Sequence, residues 1–420
     1  MSDEIFKPHP AEREAEEILN DPNPLERVKK HLDNIIAGED NNKKAIFILL
    51  LSGLKWVPAE LKQMILLKGE SGAGKSHLMK IADLFNTKTV GRFTKHALDY
   101  TDLEGYEILR LREIGYMDQE EQGVSTIKFL SADDMGYEVE ITERGENGRW
   151  TTVQRRIPPI TVITSTTRVD LESQFERRAW IFNPDESPEQ TERIRQWKVR
   201  HEYEKVAVTL GKREMTSYDY SVMVLKALIR KLEPCVVIVP YVETLFKMFD
   251  TRNLRIRGDY DKILAAIKLY GILLQRVESH KKINGTLFVA PSPRRAFEVL
   301  NVIRGPLTAM QTGLEARTRR LIQPLKNAGI TEAGAKISKE DREQIALDLG
   351  LSESTIRKYL NEWVKRGYLS SDGKRPATYT LLLPLSEIES RLHAIVTYDF
   401  TRLEREMVEE MRKVRRMLLA

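Results

Sequence analysis

The chain contains 420 residues and one cysteine, Cys235. A single thiol excludes an internal disulfide framework and a cysteine-clustered metal site, and it makes a reducing cytoplasm the expected location. Long apolar runs are missing too. The longest, Ala45-Ile46-Phe47-Ile48-Leu49-Leu50-Leu51, falls far short of the roughly 20 residues that cross a bilayer. No membrane partner is therefore expected. Residues 1–20 are mainly polar and acidic, without the basic-then-apolar pattern of a secretory leader. Charge of one sign is scarce as well: 67 Lys and Arg stand against 62 Asp and Glu, a net +5. So small a balance argues little by itself, and local basic clusters must carry any case for an anionic partner. Internal repeats and low-complexity tracts are also absent.

What is present is dominated by one stretch, Gly69-Glu70-Ser71-Gly72-Ala73-Gly74-Lys75-Ser76. Its G-x-x-x-x-G-K-[ST] spacing is dictated by a phosphate ligand. The glycines let successive backbone N–H groups turn inward, Lys75 reaches the β/γ-phosphates, and the Ser76 hydroxyl sits on Mg²⁺. At average glycine usage such a match arises by chance in roughly 2% of chains this long. The context fits as well, since Met64-Ile65-Leu66-Leu67 before it reads as a buried strand. Leu78, Ile81, Ala82 and Phe85 after it fall on one helix face. ATP with Mg²⁺ is the expected cofactor pair, with His77 completing the nucleotide-contacting set.

The rest divides by pattern. Residues 1–24 read as a tail ending in Asp21-Pro22-Asn23-Pro24, residues 25–183 as an α/β core, and 184–305 as a mostly helical segment. A link at 306–335 leads to a compact unit at 336–383. Residues 384–420 form a charged amphipathic helix.

Hydrolysis needs a carboxylate that orients water. Ile108-Leu109-Arg110-Leu111-Arg112-Glu113 alternates as a strand and ends on an acid, making Glu113 the candidate. Tyr137 to Ile157 reads as a hairpin turning at Asn147-Gly148, with Arg144 and Arg149 near its tip. The strand Ile160-Thr161-Val162-Ile163-Thr164 ends in Ser165-Thr166-Thr167, where a polar side chain, Thr167, is placed to sense the γ-phosphate. Arg178 precedes the apolar Ala179-Trp180-Ile181-Phe182. An arginine so placed can be offered to a neighbouring subunit's nucleotide, stabilising charge on the transferring phosphoryl group.

This order of parts resembles the AAA+ ATPases, and the hairpin before the polar-ended strand resembles their minichromosome-maintenance-type helicase branch. The chain is similar to AAA+ helicase-like proteins of archaeal and bacterial mobile elements. The residues behind that likeness are the phosphate loop, Asp185-Glu186-Ser187-Pro188-Glu189-Gln190-Thr191, and Leu254-Arg255-Ile256-Arg257-Gly258-Asp259-Tyr260-Asp261-Lys262-Ile263-Leu264. The resemblance implies an AAA+ P-loop core, a helical lid over 184–305 carrying a second arginine sensor at Arg257, and ring assembly, with a hexamer as one form. It also marks a departure. Arg112 stands where the family carries a metal-supporting acid, so either Ser76 and waters carry more of the metal or another carboxylate, with Asp99 the candidate, contributes.

Residues 341–368 pair two short helices across Gly350, with Ser352 capping the second. Ile356, Leu360 and Trp363 face inward, leaving Thr355, Arg357, Lys358 and Asn361 on the open side in the manner of a recognition helix. Leu369 onward pairs with Thr378-Tyr379-Thr380-Leu381 across a tip carrying Lys374 and Arg375. The unit resembles a winged helix. Between 353 and 376 six Lys and Arg stand against three Asp and Glu, a footprint for nucleic-acid phosphates. The expected function is an ATP-hydrolysing DNA helicase or translocase acting in replication as a homo-oligomer. The alternative is an ATP-switched initiator, loader or DNA-binding regulator without unwinding.

Overall fold

The computed structural model describes residues 9–91, 100–112, 137–144, 150–167, 177–249, 256–312, 319–393 and 400–419. Asp99, Glu113, Arg149 and Arg255 lie outside them. Three helices come first: α1 (Pro10–Leu19), α2 (Pro24–Ile35) and α3 (Asp40–Leu50). Proline opens the first two, where a missing N–H costs nothing. Residues 10–19, expected within a tail, are instead a packed helix, because Ala11, Ala15, Ile18 and Leu19 share one buried face.

Next come β1 (Met64–Lys68), the one-turn α4 (Lys75–Leu78), β2 (Thr87–Val90) and β3 (Ile108–Leu111). They are followed by β4 (Tyr137–Arg144), β5 (Trp150–Ile157), β6 (Thr161–Thr166) and β7 (Ala179–Phe182). The helix expected after the phosphate loop continues beyond α4 only as tighter 3₁₀ turns over Met79–Leu84, although its apolar face is buried as the spacing required.

The central sheet has five strands in the order β2-β3-β6-β1-β7. Every neighbouring pair is parallel, so all five carboxyl ends share one edge. The chain leaves β1 for the far side of the sheet and returns through β6, then crosses β1 to reach β7. Such a reversal opens a crevice beyond the carboxyl ends of the strands. β1 is buried along its whole length. Its alternate residues serve two cores: Ile65 and Leu67 join the large one, Met64 and Leu66 the smaller. β4 and β5 form a separate antiparallel pair, Tyr137 opposite Ile157 and Arg144 opposite Trp150, the two arms that the alternation predicts; the expected Asn147-Gly148 turn lies outside the described residues.

The following segment holds α5 (Pro188–Thr209), α6 (Ser217–Arg230), β8 (Cys235–Val237), α7 (Val242–Lys247), α8 (Ile256–Leu273), β9 (Ser279–Ile283), β10 (Thr286–Ala290) and α9 (Pro293–Val302). The mostly helical stretch also holds a three-stranded sheet, β8-β10-β9, that the sequence reading did not name. Its signal was present as Asn284-Gly285, both with positive φ, the favoured chemistry of a two-residue hairpin turn. Buried residues of α6, α8 and α9 belong to the same core as α1–α3 and one sheet face.

The expected link contains α10 (Arg304–Thr312) and α11 (Ile322–Asn327). Leu307 and Leu325 are buried, so hydrophobic packing overrode the polar composition. After them come β11 (Lys336–Ile337), α12 (Lys339–Leu349), α13 (Glu353–Lys365), β12 (Leu369–Ser371), β13 (Tyr379–Leu381), α14 (Leu385–His393) and α15 (Phe400–Leu419). β13 lies between β11 and β12, antiparallel to both, and these elements enclose a core of their own. α15 instead returns to the main core, where Leu403 and Met407 are buried and Thr244 donates to Glu410 at 2.7 Å. Burying two such side chains contributes roughly 2 kcal/mol each before ordering costs.

Arg342 of α12 is 2% exposed and joins three parts of the C-terminal unit. It donates to Glu353 at 2.7 Å, to the Ser338 and Ala377 carbonyls at 3.2 and 2.5 Å, and covers the Tyr379 ring. Removing it would leave carbonyls and a carboxylate without their donor. Arg342→Ala is therefore expected to destabilise this unit by about 3 kcal/mol. Thermal unfolding followed at Trp363 fluorescence would show an early transition. An unchanged melt would mean the guanidinium is dispensable.

Candidate nucleotide site

The loop 69–74 leaves the carboxyl end of β1, and the backbone dictates its residue types. Gly72 and Gly74 adopt φ of 85° and 93°, a region costly for any side chain. Gly69 is glycine for space: an added Cβ would meet Glu186 Oε1 at 3.2 Å and Pro184 Cδ at 3.3 Å. Lys75 is 8% exposed, and its ammonium donates to the carbonyls of Gly69 at 2.8 Å and Glu70 at 2.6 Å. The loop thus wraps its own cation. Ser76 beside it is exposed at the crevice.

The neighbouring strands place the other candidates relative to this loop. Lys68 pairs with Thr166 in register, and the Gly69 N–H donates to the Thr166 carbonyl at 3.3 Å. Thr167 follows, exposed, at the same edge. β3 lies one strand further out, and Ser165 Oγ donates to the Arg112 carbonyl at 2.5 Å, tying the end of β3 to β6. Arg112 is exposed. Glu113 follows it outside the described residues.

Arg178 lies elsewhere. It immediately precedes β7, whose first residue Ala179 pairs with Met64 at the start of β1. Five residues of β1 separate that level from Gly69, roughly 16 Å at about 3.3 Å per residue. Arg178 is therefore at the amino edge, too far to serve the phosphate loop of its own chain. Arg257 lies in the first turn of α8. Five residues on, Lys262 of the same helix donates to the carbonyls of Arg177 and Ala179, which anchors this end of α8 at the amino edge too.

A strap that the sequence reading left without a role runs from Asn183 to Gln190. Asn183 Nδ2 donates to the Lys68 carbonyl at 2.8 Å, and the Glu70 N–H donates to Glu186 at 3.2 Å. Asn42 donates to the Asn183 carbonyl, the Asp185 N–H to Glu39, and buried Gln190 to the Ala37 carbonyl, at 2.9, 2.7 and 2.8 Å. Glu39 holds a left-handed backbone at φ 58°, and burial raises its carboxyl above the ordinary range. Lys43, buried, fixes the same corner through Asp33, Asp40 and the Gly38 carbonyl. Arg320, ahead of the C-terminal unit, lies 3.9 Å from the other oxygen of Glu186. The sequence signal was the polar run Asn183-Pro184-Asp185-Glu186-Ser187 directly behind an apolar strand.

His77 follows the loop and meets Trp197 edge-on at 5.2 Å. Trp197 in turn stacks on His201 at 4.0 Å. Burial, with Lys80 adding to it, pushes the His77 imidazole down to about 4 against a hydrogen bond to the Ile35 backbone. The ring is neutral near pH 7.

In the C-terminal unit Arg357, Lys358, Lys374 and Arg375 are exposed. Thr355 and Asn361 are engaged: the Thr355 hydroxyl contacts Ser352 Oγ at 2.9 Å, and Tyr379 donates to Asn361 Oδ1 at 2.7 Å. Arg144 ends β4, the strand leading to the expected hairpin tip. Among the described residues no cluster of three or more His, Cys, Asp or Glu is placed to hold a metal ion. A Mg²⁺ carried by nucleotide phosphates needs only a ligand such as the exposed Ser76. The buried Lys75 ammonium and the exposed Ser76 hydroxyl suit a nucleoside triphosphate with its metal, while the Glu70 and Ala73 amides are bonded to Glu186 and to the Glu70 carbonyl. No described helix is long and apolar enough to cross a membrane.

No protein-family model matches the sequence, and no curated protein matches it. Among solved structures the chain is similar to a full-length MCM homolog from Methanopyrus kandleri. The identity is 14% and the TM-score 0.45, over 73% of this chain and 63% of that one. The chain thus spans less than two thirds of that protein's length, and functional assignment rests on the geometry above.

Lys75→Ala and Lys75→Arg are both expected to weaken ATP binding at least tenfold, since the two flanking carbonyls leave room for an ammonium but not a guanidinium fork. Titration with a fluorescent ATP analogue reads this directly. Retained affinity in the alanine variant would remove the loop from the site. For His77, the folded value near 4 lies below the unfolded 6.5. Its contribution is complete above pH 6.5 and drains as pH falls toward 4, by up to about 3 kcal/mol. Melting curves of the native chain and His77→Phe should converge over that window. Parallel curves would contradict the assignment.

Proposed function

We propose that the chain is an ATP-hydrolysing AAA+ DNA helicase or translocase that works in replication as a ring of identical subunits, six in the expected form. The observation that carries the reading is the separation within one chain of two parts that hydrolysis needs together. The phosphate loop opens on the carboxyl edge of the sheet, while Arg178 stands at the amino edge. An arginine on the far edge supports a reading in which it serves the nucleotide of a neighbour within an assembly.

In this reading Lys75 moves from the loop carbonyls to hold the β/γ-phosphates of a bound nucleotide. Ser76 ligates Mg²⁺, which screens charge on the transferring phosphoryl group. Glu113 orients the attacking water, Thr167 senses the γ-phosphate, and Arg178 arrives from the next subunit. Arg144 and Arg149 on the β4–β5 hairpin contact a strand of DNA in the channel. The unit built on α12, α13 and the β11-β13-β12 sheet is read as a winged helix. It meets duplex phosphates through Arg357, Lys358, Lys374 and Arg375, while Thr355 and Asn361 face base edges.

A second reading is an ATP-switched initiator or loader, which the exposed Arg112 favours. A cation where the metal-supporting acid is expected weakens hydrolysis more than it weakens binding. A strand-displacement assay separates the two. Unwinding that requires ATP and is lost in Lys75→Ala supports the motor, whereas ATP-dependent protection of duplex without unwinding supports the switch. For the arginine, Arg178→Ala should lower ATP turnover by about a thousandfold. Mixing it with Lys75→Ala subunits should restore part of the rate, since some interfaces then pair an intact loop with an intact arginine. No recovery on mixing would sink the trans assignment.

A further inference from the structure

Helix α5 has two faces, and only one of them is covered. Gln190, Ile194, Trp197, His201, Glu204 and Val208 follow each other at 4-3-4-3-4 spacing and form its more buried side. The other face carries a second stripe, Val199, Tyr203, Val206 and Leu210, at 4-3-4 spacing. These four are 47, 73, 48 and 63% exposed. That spacing is the a/d seam of a coiled coil, with Val199 and Val206 at d and Tyr203 and Leu210 at a. A single surface leucine or valine needs no explanation, but three in register on one helix face with a fourth at its C-cap, Leu210, do. An open groove of about 590 Å³ lies beside Val199 and Tyr203, with Arg195, Arg200, Glu204 and Arg213 among its other lining residues.

We propose that this seam is a contact between two copies of the chain, formed by α5 pairing antiparallel with α5 of a second copy. The seam complements itself. In an antiparallel pair a faces d, so Tyr203 meets Val206 of the second copy and Val199 meets its Leu210, giving four apolar layers with no polar residue among them. Charge selects the direction. A parallel pair would set Arg195 at g against Arg200 at e of the other helix, twice over, a like-charge clash. In the antiparallel pair Arg200 lies beside Ala207 and Glu202 beside Thr209, so no like charges meet. The contact is two-fold and ends at a pair. It stands apart from the head-to-tail ring contact proposed above and does not depend on it. Four layers from one short helix pair bury less than a permanent interface, so a reversible, concentration-dependent pair is expected.

The test uses the full chain with Cys235→Ser as background. Val199→Cys mixed with Leu210→Cys should oxidise to an interchain disulfide, while Val199→Cys alone should cross-link at least tenfold more slowly. In sedimentation velocity, Val206→Glu should weaken self-association at least tenfold, while circular dichroism and ATP binding stay unchanged. Equal cross-linking by Val199→Cys alone would mean a parallel or different contact and overturn the proposal. So would unaltered sedimentation of Val206→Glu. If that variant instead loses affinity for single-stranded DNA with sedimentation unchanged, the stripe is a nucleic-acid face and not a contact between copies.

Discussion

The position of β1 between β6 and β7 governs the rest of the molecule. With a parallel neighbour on each side and apolar residues on both faces, β1 is buried along its whole length. Its carboxyl end is consequently rigid, and the loop that follows inherits that rigidity. A loop of three glycines would otherwise sample many conformations, at a cost of order 1 kcal/mol per residue to fix. Here the β6 carbonyl at Thr166 receives the first loop amide, and the loop's own carbonyls hold Lys75. A fixed loop geometry follows from the packing of one strand.

The strap from Asn183 to Gln190 extends this order outward. It reaches the strand end at Lys68, the loop at Glu70 and the N-terminal corner at Ala37 and Glu39. Glu186 also lies close to Arg320, ahead of the C-terminal unit. At 3.9 Å and partly exposed, that pair is worth little as stability. Its interest is topological, because it sets one carboxylate between the phosphate loop and the segment leading to the proposed DNA reader.

Local chemistry was legible in the sequence where a ligand or a turn fixes residue type. The eight residues of the phosphate loop, the two arms of the β4–β5 pair and the cap at Ser352 are of this kind. The α12–α13 faces were equally readable, since Ile356, Leu360 and Trp363 occupy one side of a helix and are fully buried. Long-range choices were not. Nothing local in Ala11, Ala15 and Ile18 says that they pack on the main core rather than hang as a tail. Strands as short as Cys235–Val237 lack enough residues to show a period. The placement of Arg178 at the amino edge depends on strand order, which no window of sequence contains. The separate hydrophobic stripes of α5 were likewise obscured, because two apolar faces on one helix cancel in any simple amphipathic reading.

The central claim is that nucleotide turnover at this loop is coupled to DNA. The rate of ATP hydrolysis by the purified chain, measured without DNA, with single-stranded DNA and with duplex DNA at fixed salt, tests it most directly. The account predicts a low basal rate that rises severalfold with DNA and vanishes in Lys75→Ala under all three conditions. A rate that ignores both forms of DNA would contradict it, and would point the energy of the loop at some other substrate.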